Sequence, residues 1–309
     1  MAKIARMYYD QGMRQKEITD RLSIHQSTVS RLLQRAREAN IVRISVSTPP
    51  GIFGDIEDML VQKFGLKEAI VVETRSNEEH LMRDLGAAAG FFLQTSVKPG
   101  TIIGISSWSR TLFSMVDTLH SSDCGRGGKV VQILGGVGAA GTRYEAMQLA
   151  QRLAALISAK PVLLQAPALV GSVEARRVLM RDPTIRETTD LFGSVNLALV
   201  GIGSMEPSHV LVSSGNAYTQ KEREHLRELG AVGDICFRFY DAAGKPIRSP
   251  LNQRVVGIEL DTLKRIERVV GIAGGRGKLA AIRAALLSQR INVLITDLET
   301  ARSLVNDAA

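Results

Sequence analysis

QKEITDRLSIHQSTVSRLLQRAREAN, residues 15–40, is the stretch that specifies a local fold most clearly in this chain. Its spacing predicts a short helix over 15–22, a tight polar turn over 23–26, and a longer helix with Ser27 as its capping residue. The apolar positions that two steeply crossing helices would share as a small core are Ile18, Leu22, Ile24, Val29, Leu32 and Leu33. This is the pattern of a helix-turn-helix.

The second helix would expose short hydrogen-bonding side chains at its start and arginines further along. In a helix-turn-helix this helix lies in the major groove, where short polar groups read base edges and longer cations contact phosphates. The candidate DNA-binding residues are Lys16, His25, Gln26, Ser27, Thr28, Ser30, Arg31 and Arg35. The alternative is an ordinary helical hairpin with a solvated basic face. A helix over 3–11, ended by Gly12, would complete the unit.

Positive charge is concentrated near the amino terminus. The chain has 309 residues and a formal net charge of +8, and residues 1–48 contain nine Lys or Arg and four Asp or Glu, a net of +5. A basic head on a nearly balanced body indicates a nucleic-acid partner. A membrane-surface role is disfavoured, because the head lacks a broad apolar face with bulky anchoring residues.

Composition favours a two-domain cytoplasmic protein. An apolar content of 45% allows a large core, and the length suggests two domains. Cys124 and Cys236 are far apart without metal-ligating neighbours, so both are expected to be reduced and structural, with no metal site. We find neither a signal peptide nor an apolar run of the roughly 18 residues that a membrane span needs. Neither membrane association nor a cofactor is expected.

The composition changes after the basic head. Residues 41–47 alternate like a short strand and 48–51 break it, which predicts a helix-turn-helix domain over 1–50 and a second domain over 51–309. In the second domain, strands are predicted over 69–73, 101–106, 129–134, 161–165, 197–202, 268–273 and 292–296, and helices over 55–64, 77–95, 111–119, 144–158, 174–181, 183–192 and 278–288. Such alternation is typical of a Rossmann-like α/β domain, with a mainly parallel sheet covered on both faces.

Four predicted strands end in loops that suit a small anion. In open α/β sheets ligands bind beyond the carboxyl ends of the strands, and anions favour helix N-termini. The loops cover 104–111, 135–138, 201–204 and 274–278. The first offers hydroxyls, free amides and a guanidinium, although a capped turn with a solvated arginine would look the same. Lys278 is informative because a lysine at a helix start is electrostatically unfavourable without a nearby anion.

Over nearly its whole length the chain resembles the SorC family of bacterial transcription regulators. The head is similar to the family's QkeIA-L-S--tVSRLL pattern between Gln15 and Leu32. The body is similar to the family's motifs at 104–112, 131–136, 165–167, 197–203, 230–244 and 273–301. Two residues depart from the family pattern: Ser109 stands where glycine is usual, and Gln165 where leucine is usual.

The resemblance implies a body folded like the sugar-phosphate isomerases and glucosamine-phosphate deaminase, with catalysis lost and the phosphosugar pocket kept. The ligand-binding residues that it implies are Gly104, Ser106, Ser107, Arg110, Thr111, Gly135, Gly136, Asp234 and Lys278. The implied effector is a phosphorylated sugar or polyol, and no residue is expected to be catalytic.

Three hypotheses about function follow. The leading one is a transcription regulator of a carbohydrate or polyol catabolic operon, which binds double-stranded operator DNA as a homodimer or homotetramer under control of the effector. The second is an enzyme with a fused DNA-binding head. It is disfavoured because Ser204, Met205 and Glu206 follow the 201–203 strand end where the deaminase has an Asp-Gly-His-type sequence, although His209 is nearby. The third makes the body an oligomerisation module alone.

Overall fold

The chain consists of two compact units, Met1–Pro49 and Pro50–Ala309. The computed structural model describes residues 1–39, 41–42, 53–137, 143–206 and 218–306. Most of the predicted strand over 41–47 and the predicted break over 48–51 lie outside the described residues, as do Gly138 and His209. The assignment of separate functions to residues 1–50 and 51–309 stays a prediction.

Three helical segments lie within the described residues of the N-terminal unit. They are α1 (Ala2–Ala5), which continues as a π-helical turn over Arg6–Asp10, α2 (Gln15–Leu22) and α3 (Gln26–Glu38). Gly12 follows the first segment with φ of 65°, a left-handed conformation that glycine adopts without strain. At the start of α2, the backbone N–H of Arg14 donates to Glu17 Oε2 at 2.7 Å, which satisfies a donor that precedes the helix.

The turn between α2 and α3 is one residue shorter than predicted. Ser23 has φ of 52° and reverses the chain directly after α2, so α3 begins at Gln26 with His25 as its capping residue. The His25 carbonyl accepts the N–H of Thr28 at 2.9 Å and that of Val29 at 3.2 Å. Ser27 therefore lies inside the first turn, and the prediction that it caps the helix was wrong.

A small apolar core holds these helical segments together. Its buried members are Ile4, Met7, Ile18, Val29 and Leu33, and Leu22, Ile24 and Leu32 pack against them half-buried. Helices α2 and α3 thus share the predicted core, to which the first helical segment adds Ile4 and Met7. Fully burying such side chains stabilises a fold by roughly 1.5–3 kcal/mol each, so this core is the main apolar contribution to the stability of the unit.

The C-terminal unit alternates strands and helices. Its strands, within the described residues, are β1 (Glu68–Val72), β2 (Ile102–Ile105), β3 (Lys129–Gln132), β4 (Lys160–Val162), β5 (Leu197–Gly201), β6 (Gly203–Ser204), β7 (Ala231–Ile235), β8 (Arg238–Asp241), β9 (Arg268–Ile272) and β10 (Val293–Asp297). Its helices are α4 (Gly54–Phe64), α5 (Glu78–Ser96), α6 (Arg110–Thr118), α7 (Arg143–Leu156), α8 (Val173–Leu179), α9 (Pro183–Thr189), α10 (Gln220–Glu228), α11 (Pro250–Gln253), α12 (Leu260–Leu263), α13 (Leu279–Leu287) and α14 (Leu298–Asn306). Two 3-10 turns lie over Asp190–Ser194 and Arg276–Lys278.

Seven of these strands form one parallel sheet in the order β1-β10-β9-β5-β2-β3-β4. They are the seven strands predicted from the sequence, and the α/β fold class is confirmed. From β2 the chain proceeds outward through β3 and β4, whereas from β5 it proceeds in the opposite direction through β9 and β10. The order therefore reverses between β5 and β2, and such a switch point opens a crevice beyond the carboxyl ends of the strands.

Side chains of the central strands alternate between two buried layers. In β5, Leu197 and Leu199 belong to one apolar cluster, whereas Ala198 and Val200 belong to the other. A parallel sheet covered on both faces requires apolar residues at successive positions, because neither face meets water. This requirement explains the continuous apolar runs in the sequence.

A second, antiparallel sheet was not predicted. It has the order β6-β7-β8, and β7 and β8 are joined by a two-residue turn at Cys236 and Phe237. These residues have φ of 53° and 60°. Two-residue hairpin turns with positive φ usually contain asparagine, aspartate or glycine, so a Cys-Phe pair gives no turn signal in the sequence. Helices α10, α11, α12 and α14 were not predicted either.

At each outer strand of the large sheet, one backbone position on the open side has no free N–H donor. At β1, the Val71 N–H donates at 2.8 Å to Oε1 of Glu57, a half-buried residue of α4 whose pKa is raised by burial. At β4, the Lys160 N–H donates to the Gly128 carbonyl at 3.0 Å, so the nitrogen of Pro161 is turned to the other side. On the open side of β1 the Val71 N–H is thus already hydrogen-bonded, and on the open side of β4 Pro161 has no N–H.

Helices α5 and α6 cross closely at a glycine. A Cβ added to Gly86 of α5 would lie 2.7 Å from the backbone nitrogen of Met115 and 2.8 Å from the carbonyl carbon of Ser114. At Gly90, one turn later, an added Cβ would lie no closer than 3.6 Å to a side-chain atom of Leu119. The first glycine is therefore required for the approach that positions α6, and the second is not.

Gly86→Ala should lower the free energy of unfolding by roughly 1–3 kcal/mol, because the new methyl group presses against the backbone of α6. Gly90→Ala is the matched control in the same helix and should raise the free energy of unfolding by roughly 0.5–1 kcal/mol. Urea unfolding measures both. Equal stabilisation by the two alanines would contradict the close approach of α5 and α6.

Candidate functional site

A cavity of about 800 Å³ lies in the crevice between β5 and β2, at the carboxyl ends of the central strands. Loops that follow β1, β2, β5, β9 and β10 line it, together with the β7–β8 hairpin. Small-molecule sites have volumes of roughly 300–1,000 Å³, and in open α/β sheets they occur at this position.

The loop from β2 to α6 is held by hydrogen bonds of buried side chains. Ser107 Oγ donates to the Leu134 carbonyl at 2.9 Å and accepts from Gln132 Nε2 at 2.8 Å. Trp108 Nε1 donates to the Gly135 carbonyl at 3.0 Å. Trp108 has φ of 60°, a strained conformation for a large side chain, which these bonds maintain. The loop is thereby fixed against the end of β3.

Ser109 is the capping residue of α6. Its Oγ accepts the Leu112 N–H at 3.4 Å, and its carbonyl accepts the Phe113 N–H at 3.0 Å. Glycine, which is usual here in the family that the sequence resembles, could not supply that oxygen. The N–H groups of Arg110 and Thr111 come first in the helix and have no intrahelical acceptor. The positive end of the α6 dipole therefore lies at the cavity.

Arg110 and Lys278 bring positive charge to the same cavity. Arg110 Nη1 lies 3.8 Å from Oε1 of Glu78, a weak pair because Glu78 is exposed. Lys278 is half-buried directly before α13. Burial lowers its pKa and the charge of Arg110 acts in the same direction, whereas Asp234 and Glu78 oppose the shift. Burial therefore disfavours the charged form of Lys278, and an anion beside it would offset this effect.

Asp234 is a half-buried carboxylate of β7 that lines the cavity. Burial raises its pKa to about 6, although the Phe237 N–H, which donates to Oδ2 at 2.9 Å, and the charge of Lys278 oppose the rise. A Cβ added to Gly203 would collide with Asp234 Oδ1, so the strand end at this glycine leaves room for the carboxylate. Near neutral pH such a group accepts hydrogen bonds from ligand hydroxyls.

Asp297 joins three segments at the rim of the cavity. Its carboxylate accepts the Gly275 N–H at 2.7 Å, the Thr300 hydroxyl at 2.6 Å and N–H at 3.1 Å, and the Thr74 hydroxyl at 3.2 Å. Burial would raise its pKa, but these hydrogen bonds outweigh burial and lower it. Asp297 therefore stays ionised while it is 1% exposed. It fixes the loop that carries Lys278.

The structure brings most of the predicted ligand-binding residues together. Those that line the cavity are Ser106, Ser107, Arg110, Thr111, Asp234 and Lys278. Gly104, Gly135 and Gly136 are not among its described lining residues, and their part in ligand binding stays a prediction. A Cβ on Gly135 would collide with the Pro167 carbonyl. One on Gly136 would collide with the Gln132 side chain. At both positions the absence of a side chain lets another part of the protein approach the backbone closely.

Several lining residues were missed by the sequence reasoning, among them Thr74, Tyr218 and Asp297. For Asp297 a signal exists, because an aspartate three residues before a threonine at a strand-to-helix junction is a capping pattern. Thr74 and Tyr218 lie in segments without periodicity or glycine clusters, and nothing in their local sequence marks them. Gln165, which departs from the family pattern, is exposed and does not line the described cavity.

In the N-terminal unit, the predicted DNA-binding residues lie on the surface. Those that are exposed are Lys16, His25, Gln26, Ser27, Ser30, Arg31 and Arg35, and Thr28 is half-buried. Ser27 and Arg31 stand four residues apart on α3 and so share one face. Over the residues that the structure describes, Lys16, Arg31 and Arg35 form no salt bridge. Their role in DNA binding stays a prediction.

Two kinds of site are not seen in the described ranges. No cluster of three His, Cys, Asp or Glu side chains there could hold a metal ion. Within the same ranges no helix combines the length and apolar character needed to cross a bilayer.

A helix-turn-helix joined to a Rossmann-like unit with a small-molecule cavity is the architecture of a ligand-responsive transcription regulator. The family described as "Putative sugar-binding domain" matches residues 53–306. The chain belongs to this family and to its SorC-type transcription regulators.

Known relatives match the chain from end to end. It is 34% identical over 308 residues to the sorbitol operon regulator of Klebsiella pneumoniae, with 99% of this chain and 97% of that protein covered. It is 33% identical over 304 residues to the deoxyribonucleoside regulator of Bacillus subtilis, with 98% and 96% covered. The crystal structure of the full-length sorbitol operon regulator SorC from Klebsiella pneumoniae is similar with a TM-score of 0.75, at 33% identity and coverage of 99% and 98%.

Asp297→Asn should lower the free energy of unfolding by about 2–4 kcal/mol at neutral pH, because hydrogen bonds to a buried carboxylate are lost. Since the folded-state pKa of Asp297 is lowered, its contribution is present above the unfolded pKa of about 3.9 and is lost as pH falls below it. The difference in the free energy of unfolding between wild type and Asp297→Asn should therefore be smaller at pH 3 than at pH 7. Denaturant unfolding at the two pH values measures it.

Asp190→Asn is the control for this measurement, because Asp190 is exposed and its side chain makes no hydrogen bond in the described part of the chain. It should change the free energy of unfolding by less than about 0.5 kcal/mol at either pH. A difference for Asp297→Asn that persists undiminished at pH 3 would contradict the ionised state of Asp297.

Proposed function

We propose that this chain regulates transcription of a carbohydrate or polyol catabolic operon, and that a phosphorylated sugar or polyol controls its affinity for operator DNA. Residues 1–50 would bind the DNA, and residues 51–309 would bind the effector and form a homodimer or homotetramer. The observation that carries the proposal is the convergence of Arg110, Lys278 and the start of α6 on one cavity at the switch point of the sheet.

A phosphate fits these groups better than a neutral sugar does. The amides that begin α6 donate to its oxygens and the dipole of the helix favours its charge, while Arg110 and Lys278 add charge-assisted hydrogen bonds. The same anion would offset the unfavourable burial of the Lys278 ammonium. Sorbitol is a polyol and deoxyribonucleosides contain a sugar, so the names of two relatives support this class of effector.

The N-terminal unit supports the assignment of DNA as the partner. Gln26, Ser27 and Ser30 are exposed at the start of α3 and Arg31 and Arg35 follow them, so short polar groups precede cations along one helix. That order suits base edges in the major groove and phosphates beside it. Two copies of the unit in an oligomer would read two half-sites of a pseudo-palindrome.

Control by the effector requires linkage between the two sites. The effector changes DNA affinity only if it binds more tightly to one arrangement of the oligomer than to another. The α5–α6 contact at Gly86 gives one rigid route out of the cavity, because α6 begins at the site and packs on the longest helix of the unit.

The alternative of an enzyme has one observation in its favour. Asp234 and Lys278 have shifted pKa values in one cleft, a feature that active sites share. We propose no catalysis, because the strand end at Gly203 continues with Ser204 and not with an aspartate, and the relatives are named as regulators. Interconversion of pentose phosphates, or ammonia released from glucosamine phosphate, would favour the enzyme instead.

Lys278→Met and Arg110→Ala should each weaken binding of a phosphorylated effector roughly 10- to 100-fold, because each removes a charge-assisted hydrogen bond to the phosphate. Calorimetric titration of the full chain with sorbitol 6-phosphate, deoxyribose 5-phosphate and fructose 6-phosphate measures the affinities, and the tightest binder of the three serves for the variants.

Lys264→Met provides the control, since Lys264 is exposed and does not line the described cavity. It should bind the effector as the wild type does. Two results would count against the phosphosugar cavity: variants that bind as tightly as the wild type, or a wild type that binds unphosphorylated sorbitol equally well. If the wild type binds none of these ligands, the hypothesis that the C-terminal unit is only an oligomerisation module would be favoured.

Arg35→Ala should weaken binding to all duplexes by a similar factor and reduce the slope of log affinity against log salt by about 1, because one phosphate contact is lost. Gln26→Ala should instead reduce the preference for a selected duplex over a random one, by roughly 1–3 kcal/mol. Fluorescence anisotropy with a duplex enriched from a random library by the wild type measures both effects.

Arg6→Ala serves as the control on the first helical segment, where Arg6 pairs with Asp10 at 3.7 Å. It should leave the salt slope and the sequence preference unchanged. If Arg6→Ala and Arg35→Ala weaken binding equally, the exposed face of α3 is not the part of the unit that contacts DNA.

A further inference from the structure

Tyr218 is a cavity residue whose hydroxyl has no partner in the described part of the chain. The residue is 7% exposed. Its ring packs edge-on against Phe239, with centroids 5.2 Å apart, and against Phe237, with centroids 6.5 Å apart. Buried tyrosine hydroxyls normally form a hydrogen bond. A fixed phenol ring with a free hydroxyl in a ligand cavity is therefore available to a bound molecule.

The backbone at Tyr218 is held in place by the helix that follows. Thr219 caps α10, and its N–H donates to Glu222 Oε2 at 2.7 Å. Glu222 in turn pairs with Arg254, and Arg223 of α10 pairs with Glu206 at 2.7 Å. Tyr218 is thus positioned by a capping box and two ion pairs. A side chain held in this way loses little further freedom when a ligand binds.

The phenol is kept protonated by its surroundings. Burial raises the pKa of Tyr218 and the charge of Asp234 raises it further, although Arg223 and Arg227 act against this. Asp234 also interacts with Lys278, and Lys278 with Arg110. Arg110 begins α6 and Lys278 precedes α13, whereas Asp234 and Tyr218 meet at the β7–β8 hairpin. There the Phe237 N–H donates to Asp234 Oδ2, and the Phe237 ring packs against the Tyr218 ring. The cavity is therefore lined by two cations at the starts of α6 and α13, and by a carboxylate and a phenol donor at the β7–β8 hairpin.

We propose that Tyr218 is a specificity-determining residue that donates a hydrogen bond to a hydroxyl oxygen of the effector at the β7–β8 hairpin side of the cavity, while Asp234 accepts a hydrogen bond from an effector hydroxyl group on the same side. The ligand class is then a polyol phosphate or sugar phosphate with free hydroxyl groups. This inference rests on the proposed function, because the phosphate at Arg110 and Lys278 sets the orientation of the ligand.

Tyr218→Phe keeps the ring and removes the hydroxyl. It should weaken binding of the tightest of the three sugar phosphates roughly three- to tenfold, the effect of one uncharged hydrogen bond, and leave the binding of inorganic phosphate unchanged. Because the hydroxyl has no partner in the described protein, the melting temperature without ligand should stay within about 2 °C of the wild type. Calorimetric titration and thermal unfolding of the full chain give the two readouts.

Tyr240→Phe is the matched control, because the Tyr240 hydroxyl donates to the Ala281 carbonyl at 3.1 Å and Tyr240 does not line the described cavity. It should show the opposite behaviour, a lower melting temperature and an unchanged affinity for the sugar phosphate. This contrast separates loss of a ligand contact from general loosening of the β7–β8 region.

Three results would overturn the inference. If the wild type binds a sugar phosphate and Tyr218→Phe binds it equally well, Tyr218 is no ligand contact, and the proposed function stands. If the variant loses affinity for inorganic phosphate by the same factor, the hydroxyl acts at the phosphate end. If the wild type binds no sugar phosphate more tightly than inorganic phosphate, the proposed function fails and the inference fails with it.

Discussion

The buried Asp297 carboxylate is the interaction on which the geometry of the cavity depends. It joins the segment after β1, the segment after β9 and the start of α14 through hydrogen bonds from Thr74, Gly275 and Thr300. A charge in this position is stable only because several donors surround it, and those donors are the backbone and hydroxyl groups of the rim itself. The arrangement of the rim and the ionisation of Asp297 therefore require each other.

Around this fixed rim the protein keeps several locally unfavourable features. Lys278 carries a charge that its surroundings disfavour, and Asp234 has a raised pKa. Trp108, Cys236 and Phe237 have positive φ, which costs about 1–3 kcal/mol per residue. Such features concentrate where function opposes stability. Their collection on the lining of one cavity is an argument for ligand binding that does not depend on resemblance to other proteins.

Much of this fold could be predicted because it is encoded by local periodicity. The seven buried strands appear as apolar runs, and the helices α2 and α3 are predicted by the spacing of apolar residues between Gln15 and Glu38. The Asp297 contacts could not be predicted in the same way, since Thr74 lies more than 200 residues away along the chain. The sequence alone also could not tell what Gly135 and Gly136 make room for, because a position that admits a ligand and one that admits a neighbouring segment both exclude a side chain.

The two outer strands of the large sheet are poorly suited to pairing with a strand of another molecule. At β1, Glu57 accepts the Val71 N–H, which could otherwise donate to a further strand. At β4, Pro161 has no N–H to donate. Natural proteins blunt exposed edges in these ways to prevent intermolecular β-pairing. Growth of the sheet from one subunit into the next is thereby discouraged at both ends. An interface between copies of this chain would therefore use helical faces rather than the edges of the large sheet.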